Sequence, residues 1–89
     1  MNFEYDKTKS SINKSKHNID FEEAQKLWED PYSFELPYPQ SEDSFLVLGQ
    51  INSKNYTEII TYRKINIRII SVRRSREKEI KLYESIRTR

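Results

Sequence analysis

Two adjacent arginines, Arg73 and Arg74, stand where a strand-like segment of the chain ends and a charged helix is predicted to begin. A guanidinium group binds phosphate oxygens through paired N–H groups and keeps its charge at any working pH. The N-terminus of a helix also favours an anion through its dipole. The pair therefore predicts a site for an anionic ligand at the end of the strand.

Two further arginines, Arg63 and Arg68, lie on or beside the predicted strands 56–63 and 67–73. If these strands form a hairpin, we expect their side chains to converge with the Arg73–Arg74 pair near one region of the sheet. The alternative is a structural role, in which the arginines form ion pairs with acidic residues. The candidate partners are Glu58, Glu77 and Glu79.

Three other side chains could take part in chemistry. His17 lies between two predicted helices, beside Lys16, and is a candidate for proton transfer. A lone histidine more often caps or packs a helix, so both interpretations stay open. Tyr62 and Tyr83 could stack on a nucleic-acid base or fill the core, and the core is the more common place for such residues.

The charge of the chain is unevenly distributed. Residues 1–62 hold 6 Lys and Arg against 11 Asp and Glu, whereas residues 63–89 hold 10 against 3. A basic segment beside an acidic remainder indicates a localised surface for phosphate groups, although a solvated helix face would have the same composition.

Composition excludes several kinds of site. The chain has no cysteine, one histidine and one glycine, Gly49. Disulfides, thiol nucleophiles, cysteine-based metal centres and glycine-rich phosphate loops are therefore excluded, and neither a metal nor a cofactor is expected. No apolar run approaches the ~18 residues of a membrane span. We expect a soluble protein in a reducing, cytoplasmic setting.

The elements that must position these residues are predicted from hydrophobic periodicity and capping signals. They form a single α+β domain, 1–89, an antiparallel sheet with helices on one face, in the order β-α-α-β-β-β-β-α. Along the last strand, Ile67 and Ile69 are expected to face one side and Ile70 and Val72 the other. The predicted segments are a strand at 1–6, helices at 6–17 and 19–30, an edge strand and loop at 32–43, strands at 44–51, 56–63 and 67–73, and a last helix capped by Ser75. Asp6 is expected to cap the first helix, and Asp20 and Glu23 to form a capping box on the second. Short hairpins are expected to join the last three strands into an antiparallel meander.

Short motifs follow one another in order along nearly the whole chain. They are "FEYD" at 3–6, "NKSKHNIDF" at 13–21, "FEEA" then "DP" at 21–31, "FLVLG" at 45–49, "TYR" at 61–63 and "RIISVRR" at 68–74, followed by Glu79 and Tyr83. Together they resemble the BrnT family of bacterial type II toxins. The chain departs from the family pattern at Asn18, where a glycine is usual, at Ser44 and Ile80, where arginines are usual, and at Ser75, which follows the paired arginines. The loss of two cations bears on the strength of activity more than on its kind.

The resemblance implies a RelE-like ribonuclease that arrests growth until an antitoxin binds it. The implied partner is BrnA, which has a ribbon-helix-helix type DNA-binding domain, and the implied complex is a heterotetramer with two copies of each chain. The toxin would reach operator DNA only through this antitoxin. No membrane partner is implied.

Our hypothesis for the reaction is metal-independent RNA cleavage, in which the ribose 2′-hydroxyl attacks the neighbouring phosphate. Arg73 and Arg74 would stabilise the charge on the phosphate, and His17 would transfer protons, with Glu79 or Tyr83 as substitutes. A rival hypothesis is a non-catalytic or degenerate binding module whose basic patch docks an acidic partner or nucleic acid. Arg63, which is also a catalytic candidate, and Arg68 would orient the RNA backbone. The other predicted RNA-binding residues are Lys16, Tyr62 and Arg76.

Overall fold

A computed structural model describes residues 2–89 of the protein, so position 1 of the predicted strand 1–6 lies outside the described residues. The predicted α+β class and the order of elements are confirmed. The predicted 19–30 helix is α-helical only at its start and then tightens into a 3₁₀ helix. The elements are β1 Asn2–Glu4, α1 Lys7–His17, α2 Phe21–Ala24, the 3₁₀ helix Gln25–Glu29, β2 Phe34–Pro37, β3 Ser44–Ile51, β4 Lys54–Arg63, β5 Asn66–Arg74 and α3 Glu77–Arg87.

The five strands form one sheet in the order β1-β5-β4-β3-β2. β3, β4 and β5 form the expected antiparallel meander, and β2 extends it at the edge by pairing antiparallel with β3. β1 differs from the expectation because it runs parallel to β5, with Phe3 opposite Ile67. Phe3 packs edge-to-face on Trp28, with ring centroids 4.9 Å apart, so the first strand is held by the core rather than by a hairpin.

Short hairpins connect the last three strands, as predicted. The β3–β4 turn consists of Asn52 and Ser53, at φ 51° and 66°. Positive φ at both central residues matches the twist of the flanking strands, and asparagine tolerates it better than most residues. The β4–β5 turn has Lys64 at φ 55°. The register of the meander is therefore fixed without any glycine in its turns.

A bulge in β5 changes the predicted facing of its side chains. Ile60 is opposite Ile69 and Ile59 is opposite Ser71, which leaves Ile70 without a partner residue. The extra residue reverses the alternation beyond it. Val72 therefore lies on the same side as Ile69, in the core and fully buried, and the expectation that it faces the other side is wrong.

The helices occupy both faces of the sheet. α1 and α2 cover the face on which Phe21 packs with Val72 in the main core. Arg73 points to the opposite face, because neighbours on a strand alternate, and there it contacts Glu79 of α3. The predicted placement on one face holds for α1 and α2, whereas α3 lies across the sheet from them.

Two of the three predicted helix caps are present. Asp6 accepts a hydrogen bond from the Lys9 N–H at 3.0 Å and begins α1. Asp20 and Glu23 form the predicted capping box of α2. Ser75 does not cap α3, which begins at Glu77, because its hydroxyl is bonded to Thr57 at 2.9 Å.

A basic cleft as candidate functional site

An open cleft of about 540 Å³ lies where the end of α1, the start of β4 and the end of β5 meet. Five of its nine lining residues are Lys or Arg, and none is Asp or Glu. Such a concentration of cations raises the local concentration of anionic ligands. The lining residues are Lys14, Ser15, Lys16, His17, Asn18, Lys54, Tyr56, Arg73 and Arg74.

The C-terminus of α1 supplies one wall of the cleft. Asn18 adopts a left-handed conformation at φ 60°, and its N–H closes the helix on the Lys14 carbonyl at 2.9 Å. Lys14, Lys16 and His17 occupy the last turn, where the helix dipole favours positive charge. The side chains of Lys16 and His17 are exposed at the cleft.

Asn13 fixes this wall against the sheet. Its amide donates to the carbonyls of Ile19 and Val72, both at 2.8 Å, and its oxygen accepts from the Val72 N–H at 3.3 Å. β1 pairs with β5 only as far as Arg68, so the buried Asn13 side chain satisfies the β5 backbone beyond that point. α1 is thereby held against β5 at Val72, the residue before Arg73.

Arg74 forms the opposite wall. Its guanidinium lies over the Tyr56 ring, 5.6 Å from the centroid, and its Nε–H donates to the Asn55 carbonyl at 3.3 Å. Stacking of this kind orients a guanidinium while most of its N–H groups stay available. Arg74 is therefore an exposed cation with a defined direction.

Arg73 is held by an acidic residue of α3. It donates to both oxygens of Glu79 at 2.8 Å, and this ion pair raises the pKa of Arg73 further. Burial alone would raise the pKa of Glu79. Hydrogen bonds from Arg73, from the Arg76 N–H at 2.7 Å and from Thr57 at 3.0 Å outweigh it and lower that pKa to about 2. Glu79 is therefore ionised at any working pH.

Arg63 and Arg68 do not join the cleft. In the β4–β5 hairpin Arg63 is opposite Asn66, whereas Arg73 is opposite Thr57. The seven residue-to-residue steps from position 66 to position 73 separate the two regions by about 23 Å along the strand. The expected convergence of four arginines is wrong. Arg68 instead forms an ion pair with Glu4 at 2.9 Å, and Arg63 lies 4.0 Å from the same carboxylate.

Three other predicted site residues also lie outside the cleft lining. Tyr62 packs on Phe45 and donates to Glu35, and burial, together with this contact, raises the pKa of Tyr62 to about 12. Tyr83 is buried and donates to Asp30 at 2.7 Å. Burial and this hydrogen bond raise the pKa of Tyr83. Arg76 is exposed at the start of α3.

Sequence reasoning missed five lining residues, Lys14, Ser15, Asn18, Lys54 and Tyr56. One signal for Lys14 was present, because residues three apart on a helix share a face and Lys14 is three before His17. Lys54 and Tyr56 gave no such signal, since their place depends on the strand register. Within residues 2–89, no three acidic or histidine side chains lie together in a metal-binding group, and no helix is long and apolar enough to cross a membrane.

The fold and the cleft define a small α+β protein that presents a cationic surface to an anionic ligand. A family model described as the ribonuclease toxin BrnT of type II toxin–antitoxin systems matches residues 5–79. The chain therefore belongs to the BrnT family of ribonuclease toxins, as its motifs predicted, and membership implies an antitoxin partner. The match includes all residues of the cleft but ends before Tyr83. A search of curated proteins found no match.

Proposed function

We propose that this protein is a metal-independent endoribonuclease. The ribose 2′-hydroxyl oxygen forms a bond to the adjacent phosphorus while the bond from phosphorus to the 5′-oxygen breaks. The 2′-hydroxyl proton leaves to a base, and the departing 5′-oxygen takes up a proton. The products are a 2′,3′-cyclic phosphate and a 5′-hydroxyl. The observation that carries the proposal is the cleft that joins Arg73, Arg74, Lys16 and His17 without an acidic residue in its lining.

In this proposal the two arginines stabilise the negative charge that grows on the phosphate oxygens. Arg74 has exposed N–H groups and a direction fixed by Tyr56. Arg73 also lines the cleft, and its guanidinium, held by Glu79 on the α3 side of the sheet, places a second cation at the edge of the cleft. Removing one donor of this kind typically costs about 2.7–4 kcal/mol of transition-state stabilisation.

His17 is the proposed proton-transfer residue. Its ring is exposed at the cleft, on the same wall as Lys16. Glu79 is a poor alternative because its pKa of about 2 makes it a weak base. Tyr83 is a poor alternative because it is buried and bonded to Asp30. We expect His17→Gln to lower the cleavage rate about 10²–10⁴-fold.

We also propose the finer relationships that the family resemblance implies. The fold is RelE-like, and the antitoxin is BrnA-like, with a ribbon-helix-helix domain that makes a heterotetramer of two toxins and two antitoxins. Operator DNA is contacted by the antitoxin, and the toxin acts in the cytoplasm, where its RNA substrate is. Purification of the two chains together, with measurement of the mass of the complex, tests the stoichiometry.

The experiment that tests the activity is induction of this chain alone in a bacterial host, beside an Arg73→Ala/Arg74→Ala variant. Lys78→Ala/Lys81→Ala, which removes two exposed cations of α3, is the matched control. We expect growth arrest and RNA loss for the wild type and the control, and neither for the arginine variant. Cleavage by the purified protein should persist in a chelator and leave cyclic phosphate ends.

Normal growth with intact RNA for a folded wild type would contradict the proposal. It would favour the rival function, a binding module that has no catalytic activity. If the arginine variant is as toxic as the wild type, the cleft has no part in the mechanism.

A further inference from the structure

The cleft continues into a second depression on the same face of the protein. The two share Lys14, Asn18, Lys54 and Tyr56, so they are adjoining parts of one surface. The second depression measures about 210 Å³ and adds Lys26 of the 3₁₀ helix to its lining. We call this stretch, lined by Lys14, Lys26 and Lys54, the lysine groove.

Cations prevail in the lysine groove. Its ionised side chains are three lysines and Glu23, which accepts a hydrogen bond from Lys14 at 2.7 Å. That contact, ahead of the hydrogen bond from the Asp20 N–H, lowers the pKa of Glu23. Three positive charges against one negative charge leave the groove at +2. Lys26 and Lys54 are exposed and available to a ligand.

The positive surface ends at the next depression. It shares Lys26, Ile51 and Asn52 with the lysine groove but adds the acidic residues Glu29 and Asp30. One lysine against two carboxylates reverses the sign of the charge. The cationic surface therefore runs from the paired arginines through the lysine groove and stops beyond Lys26.

We propose that the lysine groove binds the phosphates of the RNA strand that extends away from the scissile bond. This inference rests on the proposed function, because an endonuclease must accommodate a chain that continues past the phosphate it cleaves. A linear polyanion fits a linear series of cations, and each phosphate contact releases counterions. Lys26 and Lys54 are then binding residues for the substrate, outside the chemistry at Arg73 and Arg74.

The test uses an RNA oligonucleotide with 2′-O-methyl groups, which lacks the attacking hydroxyl. Its affinity is measured by fluorescence anisotropy over a range of salt concentrations. Each phosphate contact to a single strand contributes about 0.7 to the slope of log K against log salt. We expect Lys26→Gln/Lys54→Gln to reduce the size of the slope by about 1.4. Lys78→Gln/Lys81→Gln, with the same change in net charge, should leave the slope unchanged.

Cleavage separates this inference from the proposed function. The Lys26→Gln/Lys54→Gln variant should cleave a long RNA with a raised KM. Lys26→Gln alone, which changes a residue outside the catalytic cleft, should cleave a dinucleotide like the wild type. If the wild type cleaves RNA while the lysine variant matches its control in both slope and KM, the lysine groove does not bind RNA. That result would leave the proposed ribonuclease function unaffected. If the wild type does not cleave RNA, the proposed ribonuclease function is wrong. The salt dependence of RNA binding then decides by itself whether the lysine groove binds RNA.

The rival occupant of the groove is an acidic segment of the antitoxin. A lysine variant that loses antitoxin affinity, with its RNA slope unchanged, would assign the groove to that protein and overturn the inference. A reduced RNA slope would support the inference whatever its effect on the antitoxin.

Discussion

Arg73 and Glu79 form a two-pronged ion pair, in which the guanidinium donates to both carboxylate oxygens at 2.8 Å. Arg73 is the second-last residue of β5, and Glu79 lies in the first turn of α3. Thr57 and the Arg76 N–H donate to the same carboxylate. One acidic side chain therefore joins the helix, the sheet and the rim of the cleft.

Replacing Glu79 with Gln should destabilise the fold. The change removes charge-assisted hydrogen bonds, each worth about 1.5–3 kcal/mol, so we expect a loss of at least this size. Glu77→Gln is the control, because Glu77 is exposed and its pair with Lys81 lies on the surface. Urea unfolding of both variants checks the prediction. Equal stability of the two variants would show that the Arg73–Glu79 pair adds nothing to the fold.

The Glu79 pair also predicts a dependence of stability on pH. The pKa of Glu79 falls from 4.5 to about 2 on folding, so the folded state holds this proton less tightly than the unfolded state. The stabilisation is complete above the unfolded pKa and is lost as the pH falls toward about 2. Unfolding free energies measured over this range should fall less in Glu79→Gln than in the wild type.

Glu58 is predicted to weaken the fold. It is fully buried on β4 between Val47 and Val72, and neither carboxylate oxygen has a hydrogen-bond partner within residues 2–89. An unsatisfied buried polar group costs about 1–3 kcal/mol. Glu58→Met, which fills the same space with an apolar chain, should stabilise the protein by that amount in thermal or urea unfolding. A loss of stability would show that Glu58 has a favourable contact.

Burial raises the pKa of Glu58 well above its usual range, and the consequence for pH is opposite to that of Glu79. The folded state keeps the Glu58 proton after the unfolded state has lost it. The contribution of Glu58 to stability is therefore most favourable below pH 4.5 and declines as the pH rises above that value. Glu58→Gln should remove this decline without the gain of Glu58→Met, because the amide stays polar.

Asn13 is predicted to be a positioning residue for the cleft. Asn13→Ala leaves the Val72 N–H and two carbonyls without their partner, so we expect a loss of about 1–3 kcal/mol in stability. Faster hydrogen exchange at the Val72 amide would identify the cause. The exposed neighbour Ser11, changed to Ala, is the control. Unchanged exchange at Val72 would contradict the role of Asn13 in the sheet.

Gly49 is predicted to resist substitution for steric reasons alone. A Cβ added at Gly49 would lie 2.9 Å from Leu27 Cδ1 and 3.0 Å from Ser33 Cβ. Overpacking of this kind costs about 1–3 kcal/mol, which thermal unfolding of Gly49→Ala would measure. Leu27→Val should cost less in the Gly49→Ala background than in the wild type, because it relieves the clash. Additive losses would show that the two residues do not compete for space.

Local signals made much of the fold predictable. The capping box of Asp20 and Glu23 and the short hairpins depend on residues near one another in sequence, and both were predicted. The parallel pairing of β1 and the bulge at Ile70 were not, because they depend on contacts between distant parts of the chain. A single extra residue reversed the facing of Val72, and periodicity alone cannot locate such an insertion.

The cleft was predictable only in part. Arg73, Arg74, His17 and Lys16 were predicted and lie together at one site. Arg63 was wrongly predicted to lie near Arg73 and Arg74. It lies beside the β4–β5 turn, whereas Arg73 and Arg74 lie at the open end of the same hairpin, far from the turn. The role of Tyr83 was open between a stacking surface and the core, and burial against Asp30 places it in the core.

The position of β5 in the sheet has a consequence for synthesis of the protein on the ribosome. β5 lies between β1 and β4 and supplies Ile67, Ile69 and Val72 to the core, yet it is the last strand to be translated. α1 and α2 have no complete surface to pack on before it emerges. The nascent chain therefore cannot complete its core or its cleft until β5, as far as Arg74, has left the ribosome.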